Sequence, residues 1–184
     1  MFGLLTNFIN NQKLKKIYNK IPLQDSYVYN YYADNNYNSD GFLQTYYGDP
    51  SDYQGILLNF DLTDIIGKTI NSAYLYLYRS IAFSGDMQSA VRYINGSWNE
   101  ETVTFNNIWS KIDGTDYGYH SHSAGGINSF ETWNLKTLIS LISAGTISNY
   151  NGLYVYSGGT SYPVDRFKDK ESENYKPKLV IKLM

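Results

Sequence analysis

Two closely spaced histidines form the pattern in this sequence that most resembles a catalytic cluster. His120 and His122 are separated by one residue, and Tyr117 and Tyr119 precede them. An imidazole and a phenol could act as base and acid in β-elimination from a uronic acid sugar. The pair could also bind a metal weakly, although no third ligand is obvious. The commoner interpretation, which we favour, is a glycine-rich polar loop over residues 112–128 that contains both histidines.

The rest of the sequence contains none of the common catalytic motifs. It has no G-x-S-x-G, no H-E-x-x-H and no phosphate-binding loop. The chain has no cysteine, which excludes disulfides, thiolate metal ligands and a cysteine nucleophile. The formal net charge of -2 argues against nucleic-acid binding by the domain as a whole. We therefore predict a protein that is not an enzyme.

Aromatic side chains are better candidates for a functional surface. The chain has 20 Tyr against 8 Phe, so much of its apolar material carries a hydroxyl, which favours interfaces and sugar contact. Trp98 could stack on a sugar ring, but we favour a packed corner in which Glu100 or Glu101 ties a loop to backbone N–H groups. The residues predicted to bind a ligand are Tyr74, Tyr76, Tyr78, Trp98, Tyr119 and His120.

Acidic residues in the loops between the early strands raise the question of a calcium site. Asp34 and Asp40 lie in such loops, where carboxylates together with backbone carbonyls can hold Ca²⁺. Asp and Asn side chains also stabilise turns without a metal, which is the commoner case. We expect no cofactor other than a possible Ca²⁺ at these two residues.

Alternation of apolar and polar residues predicts the fold class. In residues 70–79, Ala73, Leu75 and Leu77 point to one side and three tyrosines to the other, which is typical of a strand with one dry face. Residues 136–144 predict one short helix, and Gly145 is placed to end it. Roughly nine short strands predict an all-β, antiparallel β-sandwich of jelly-roll type. The clearest strands are predicted at residues 25–31, 42–47, 54–60, 70–79, 88–94, 130–135, 152–157 and 178–183.

The first 23 residues differ from the predicted sandwich domain, residues 24–184, because they are basic and contain no acidic residue. We interpret them as an N-terminal extension that packs on its own domain or a symmetry mate, or that anchors the chain in a larger assembly. An interfacial membrane helix is less favoured, because asparagines interrupt its apolar stripe. We recognise no secretory signal and no run long enough to span a bilayer. The residues of the proposed anchor are Phe2, Leu5, Phe8, Ile9, Lys13, Lys15 and Lys16.

Several blocks, all in order, resemble the DNRLRE-type β-sandwich domain, which is related to disaggregatase-related and alginate-binding carbohydrate modules. Residues 98–107, WNEETVTFNN, resemble W-x-E-x-T-V-T-W-x-N and form the most specific block. Residues 54–62 resemble R-x-L-L-R-F-D-L, and residues 70–77 resemble I-x-S-A-x-L-x-L. The chain departs from the pattern at Gln54 and Asn59, where the family often has arginine. The resemblance implies a β-sandwich over roughly residues 24–183.

Three functions follow from these observations. We expect a non-catalytic structural or adhesion protein on a multi-subunit particle such as a phage or virus virion. Its partners would be other structural proteins, it would form a homo-oligomer, and it would lie on a virion or extracellular surface. The alternative is a carbohydrate-binding module for an acidic or neutral polysaccharide. A second alternative is a β-sandwich polysaccharide lyase that uses His120 or His122.

Overall fold

A computed structural model of the chain describes residues 16–49, 52–82, 87–122, 127–158 and 164–184, and every structural statement below refers to these residues. The helices are α1 (Phe105–Ile108) and α2 (Lys136–Ser143), and single 3₁₀ turns span Thr63–Ile65 and Trp109–Lys111. The strands are β1 (Ile17–Lys20), β2 (Gln24–Tyr29), β3 (Leu43–Asp49), β4 (Asp52–Asn59), β5 (Ile70–Ala82), β6 (Met87–Ile94), β7 (Gly118–His122), β8 (Ser129–Asn134), β9 (Gly152–Gly158), β10 (Val164–Phe167) and β11 (Lys178–Leu183).

The strands form one curled antiparallel sheet that folds back on itself into two layers. Its order is β1-β11-β5-β10-β3-β4-β9-β6-β7, with β8 paired to β5 and β2 paired to β4. One layer is built around β5, which pairs with β11, β10 and β8. The other layer is built around β4 and β9, while β10 and β3 connect the two layers. The structure confirms the predicted all-β antiparallel sandwich.

The main core fills the space between the layers. Leu75 and Leu77 of β5 face Ile56 and Leu58 of β4, and all four are fully buried together with Trp133 of β8. The period-two alternation in β4 and β5 sends these side chains inward. Helix α2 closes one end with its buried residues Leu138, Ile139 and Ile142. No helix in the described segments has the length and apolar character needed to cross a membrane.

Three strands were not predicted from the sequence. Strand β7 lies within residues 112–128, which we predicted to be a loop, and it pairs with β6 in an antiparallel ladder. Its period-two pattern leaves Tyr119 70% exposed while His120 is half-buried, but the surrounding glycines hide this alternation in the sequence. β1 and β10 have four residues each and carry little local signal. β1 pairs with β11, so the sheet begins at Ile17, within the stretch assigned to the N-terminal extension.

A buried corner at the start of β2 holds the fold together at one end. Asp25, 3% exposed, accepts the backbone N–H of Lys170 at 2.7 Å, and its own backbone N–H donates to Glu100 Oε2 at 3.0 Å. The Lys170 ammonium lies 2.9 Å from the same carboxylate of Glu100. Burial raises the pKa of Asp25 to about 7, because desolvation of the carboxylate outweighs the hydrogen bond from Lys170.

The raised pKa predicts a specific dependence of stability on pH. Between its ordinary pKa of 3.8 and about 7, Asp25 binds a proton in the folded state but not in the unfolded chain. Its contribution to the free energy of unfolding therefore falls as the pH rises through this window. We expect Asp25→Asn to remove this slope, so that the variant gains stability relative to the wild type by about 1–3 kcal/mol towards neutral pH.

Urea denaturation across this pH range measures the difference. Asp61→Asn is the control, because Asp61 is exposed and the N–H of Thr63 lowers the pKa of its carboxyl. Its small contribution is present above the unfolded pKa and is lost only in acid, so this variant should track the wild type between pH values of about 5 and 7. Parallel wild-type and Asp25→Asn curves would contradict the prediction.

Candidate functional site

A second, smaller core lies on the outer face of the layer built around β4 and β9. Period-two alternation turns Leu57 of β4 and Ile94 of β6 outward, and both are fully buried. They are covered by the segment 98–112, whose Val103 and Ile108 are also buried in this cluster. The segment therefore packs on the sheet and covers part of this face.

Hydrogen bonds within this segment and to neighbouring residues fix its shape. The Trp98 indole N–H donates to the carbonyl of Asn151 at 2.9 Å, and the backbone N–H of Thr104 donates to Asn107 Oδ1 at 3.0 Å. The backbone N–H of Asn95 donates to the carbonyl of Lys111 at 2.8 Å and closes the segment at its base. These bonds place Trp109 at the edge of the covered area with its side chain 44% exposed.

An open cleft of about 300 Å³ occupies the uncovered part of the face beside Trp109. Strands β3, β4, β6 and β9 and the 3₁₀ turn after α1 all contribute to it. Its described lining residues are Tyr47, Tyr53, Arg92, Trp109, Tyr154, Tyr156, Ser157 and Gly158. We call this feature the aromatic cleft.

One wall of the aromatic cleft is a cluster of rings. Trp109 stacks on Phe105 with ring centroids 5.1 Å apart and an interplanar angle of 24°. Tyr53 contacts both rings, with centroids 5.6 Å from Phe105 and 5.8 Å from Trp109. Because α1 and the segment's hydrogen bonds hold these rings, the wall is formed before any ligand arrives.

The other wall is polar and is centred on Arg92, which pairs with Asp116 behind it. Arg92 Nε donates to Asp116 Oδ1 at 2.7 Å, and Arg92 Nη2 donates to the Tyr156 hydroxyl at 2.8 Å. That hydroxyl donates in turn to Asp116, whose oxygens lie at 2.9 and 3.0 Å. The guanidinium also lies over the Tyr156 ring, 4.6 Å from its centroid. Burial, followed by the hydrogen bond to Asp116, raises the pKa of Tyr156 to about 12, so it remains a neutral hydroxyl.

The floor of the cleft depends on a glycine. The Tyr154 ring lies parallel to Tyr156, with centroids 5.6 Å apart, and is 1% exposed. It lies over Gly55 of the neighbouring strand, and a Cβ at that position would overlap the ring. The Tyr154 hydroxyl is buried and has no hydrogen-bond partner in the described residues. A glycine in the middle of β4 thus makes room for the aromatic floor.

The sequence profile of a protein family described as "Carbohydrate-binding module family 96" matches residues 16–183, nearly the whole chain. The chain belongs to carbohydrate-binding module family 96. Among curated proteins, none matches it. Membership supports the carbohydrate-binding alternative of the sequence analysis over display on a virion, and it is consistent with a non-catalytic role.

The module places its predicted ligand-binding residues in several different environments. Tyr119 is exposed and lies outside the lining of the cleft, and its hydroxyl donates to Asp116 Oδ2 at 3.3 Å. The side chain of His120 is half-buried. Its Nε2 lies 2.5 Å from Glu131 Oε2, and its ring centroid lies 5.2 Å from that of Trp133. The His122 side chain lies outside the described residues. Trp98 is half-buried, and its indole N–H donates to a backbone carbonyl.

The three tyrosines of β5 lie on the outer face of the other layer. Tyr78 stacks on Tyr175 with centroids 4.1 Å apart and an interplanar angle of 12°. Phe130 contacts the edge of this stack, and the Lys178 ammonium lies 4.5 Å from the Phe130 centroid. We call this surface the β5 platform, and it comprises Tyr74, Tyr76, Tyr78, Phe130, Tyr175 and Lys178.

The predicted calcium ligands are engaged with neutral side chains. Asp34 accepts the amide of Asn106 at 2.7 Å, and Asp40 accepts the Tyr27 hydroxyl at 2.5 Å. Within the described residues, no three histidine or acidic side chains are grouped so as to hold a metal ion. The calcium site therefore stays a prediction. The anchor residues other than Lys16 lie outside the described residues, and the Lys16 ammonium lies 4.6 Å from the ring centroid of Tyr18.

Sequence reasoning did not find most of the aromatic cleft. Tyr154 and Tyr156 lie on a strand that was predicted correctly, and their spacing places them on one face. The missing information was that β6 pairs with β9 and brings Arg92 opposite Tyr154. The exposed Trp109 lies two residues after the end of the strongest motif of the chain and was the available signal.

The contact between Gly55 and the floor predicts a large effect of a single methyl group. Gly55→Ala should displace the Tyr154 ring and destabilise the module by about 2–3 kcal/mol, because the ring is fully buried. Thermal unfolding would measure the loss of stability, and tryptophan fluorescence compared with that of a Trp109→Phe background would measure the distortion of the cleft. Gly114→Ala is the matched control, since its added Cβ meets nothing within 4 Å. Equal melting temperatures for the two variants would show that the floor tolerates the methyl group.

Proposed function

We propose that this module binds a glycan in the aromatic cleft. The observation that carries the proposal is the pairing of a rigid ring wall with a polar wall across a space of about 300 Å³. Pyranose rings have apolar C–H faces that pack on aromatic rings and hydroxyl edges that need hydrogen-bond partners. The cleft offers both kinds of surface within one concavity, which is the usual form of a small-ligand site.

Preorganisation supports the same site. Trp109 and Tyr53 are held by ring contacts, and Arg92 is held by Asp116 and Tyr156. A ligand would therefore have to order few additional protein groups on binding, which lowers the entropic cost. The Arg92 guanidinium has five N–H donors, of which the bonds to Asp116 and Tyr156 use one each on Nε and Nη2, so a sugar hydroxyl could accept from another.

The other functions suggested by the sequence have less support. Display on a virion rests on the N-terminal anchor, which lies almost entirely outside the described residues, and it stays a prediction. The lyase alternative names His120 or His122. The His120 imidazole contacts the buried carboxylate of Glu131, whereas the His122 side chain lies outside the described residues, so the lyase also stays a prediction.

The first test is removal of the ring wall. Trp109→Ala should weaken glycan binding at least about tenfold while the melting temperature changes little, since the indole is 44% exposed. Affinity electrophoresis against a panel of soluble polysaccharides, followed by calorimetry on the best ligand, would measure the change. Leu23→Ala, which removes another exposed apolar side chain at 62% exposure, is the control and should bind as the wild type does.

The β5 platform is a second candidate surface for the same function. Tyr175 is 52% exposed and holds a backbone φ of 65°, an uncommon conformation for an aromatic residue. Its stack with Tyr78 presents a flat aromatic surface next to the Lys178 ammonium.

Substitution of Tyr175 separates the two surfaces. If the platform contributes, Tyr175→Ala should lower affinity for a long polysaccharide but leave the binding of a short oligosaccharide in the cleft unchanged. Calorimetry with both ligand lengths would measure this difference. Identical losses for Tyr175→Ala and Leu23→Ala would remove the platform from the binding site.

A further inference from the structure

The end of the sandwich that α2 closes carries an apolar groove, separate from the aromatic cleft. The groove has a volume of about 460 Å³ and lies between the turn that joins β4 to β5 and the residues that follow α2. Ile66, Ile142 and Ile147 line it, and the Ile66 side chain is exposed. We call this feature the α2 groove.

Further apolar side chains are exposed beside the α2 groove. The backbone N–H of Leu23 donates to the carbonyl of Asn59 at 2.7 Å, and that of Met184 donates to the carbonyl of Thr69 at 3.1 Å. These two bonds hold Leu23 and Met184 next to the turn that carries Ile66, and all three side chains are exposed. The groove and its surroundings thus form an apolar surface, and such surfaces mark sites that another segment or another molecule covers.

The chain enters the described residues at this same end. β1 pairs with β11, and β11 pairs with β5, both antiparallel, so β1 and β5 run in the same direction. The carbonyl of Lys16 accepts the backbone N–H of Leu183 at 2.9 Å, which places the start of β1 near the start of β5. Residues 1–15, which lie outside the described residues, therefore join the domain beside the α2 groove. Fifteen residues can span up to roughly 50 Å, so length does not limit their contact with it.

The composition of residues 1–15 matches this surface. The segment contains the basic residues Lys13 and Lys15 and no acidic residue. Two acidic side chains of the turn are exposed, namely Asp61, which lines the groove, and Asp64, which pairs with the Lys20 ammonium at 2.8 Å. The segment is thus complementary to the groove in charge as well as in apolar character. Its larger apolar side chains are Phe2, Leu4, Leu5, Phe8 and Ile9.

We propose that residues 1–15 dock in the α2 groove of their own chain, with their apolar side chains against Ile66 and Ile147. The inference goes beyond glycan binding and is independent of it, because the described linings of the groove and the aromatic cleft share no residue. The segment is tethered next to the groove, so its effective concentration there exceeds that of a second copy of the chain.

Spin labelling of the full chain tests the location of the segment. The chain has no cysteine, so Asn149→Cys places a single nitroxide beside the groove without filling it. The nitroxide should broaden the amide NMR signals of residues 2–9. The control is Ile127→Cys, an exposed position near the other end of β5, because the backbone N–H of Asn128 donates to the carbonyl of Arg79. A nitroxide there should leave these signals sharp.

A mixing experiment distinguishes the same chain from a second copy. Spin-labelled chain without ¹⁵N is mixed with unlabelled chain that carries ¹⁵N, so that any broadening arises between molecules. We expect none. Broadening in the mixture would place the segment on a partner copy and overturn the proposal, as would sharp signals for residues 2–9 with the Asn149→Cys label.

A double-mutant cycle tests whether the contact stabilises the fold. Serine at Phe2, Leu5, Phe8 and Ile9 together should lower the melting temperature by at least about 2 °C, and Ile66→Ser should also lower it. The combined variant should melt well above the sum of the two losses, because both remove the same contact. Ile127→Ser is the control, and its effect should add to that of the segment variant.

Every result of the cycle counts for or against docking. Additive losses for the segment variant and Ile66→Ser would show that the segment does not contact the groove, even if the nitroxide broadens its signals. An unchanged melting temperature for the segment variant would have the same meaning. If Ile66→Ser does not fold, the two spin-label experiments still decide, since they leave both contact surfaces intact.

Discussion

Burial of the apolar outer face of one layer is the constraint on which the rest of the module depends. Leu57, Ile94 and Tyr154 turn away from the main core, so something must exclude water from them. The segment 98–112 does this with Val103 and Ile108, and it covers only part of the face. The edge of this cover becomes the ring wall, and the uncovered strip becomes the floor of the aromatic cleft. The candidate site therefore lies where the segment leaves part of the sheet face uncovered.

A buried ionic cluster around Arg79 of β5 has a different structural role. Arg79, 1% exposed, lies 3.1 Å from Glu131 Oε1 and 3.4 Å from Asp165 Oδ1, which join β5 to β8 and β10. His120 of β7 contacts the same glutamate. Such clusters contribute little net stability, because the cost of desolvating the charges offsets their attraction. Removal of one member is nevertheless strongly destabilising, since it leaves a buried charge unpaired. We interpret this cluster as a device that fixes the register of four strands, which explains why the most enzyme-like histidine of the sequence faces the interior.

The sequence was sufficient for the fold class because alternation is a local signal. Residues 70–79 show which side chains face inward, and the structure agrees. The site was less accessible because it depends on which strands become neighbours. Arg92 and Tyr154 are far apart in the chain, and only the pairing of β6 with β9 brings them together. The contact of Glu100 was partly predictable from the sequence. Its motif predicted a loop tied to backbone N–H groups, and the structure shows its bond to the N–H of Asp25.

The contrast between the two aromatic surfaces explains why the cleft is the stronger candidate. The β5 platform presents rings on an open sheet face, where a bound sugar would keep most of its hydration and gain contact on one side. The cleft would surround a ligand with rings on one wall and a prearranged Arg92–Asp116–Tyr156 group on the other. Hydrogen bonds to a sugar gain most where water is excluded and the protein groups are already oriented. A flat platform suits avidity along a chain, whereas a walled cleft suits recognition of an individual sugar unit.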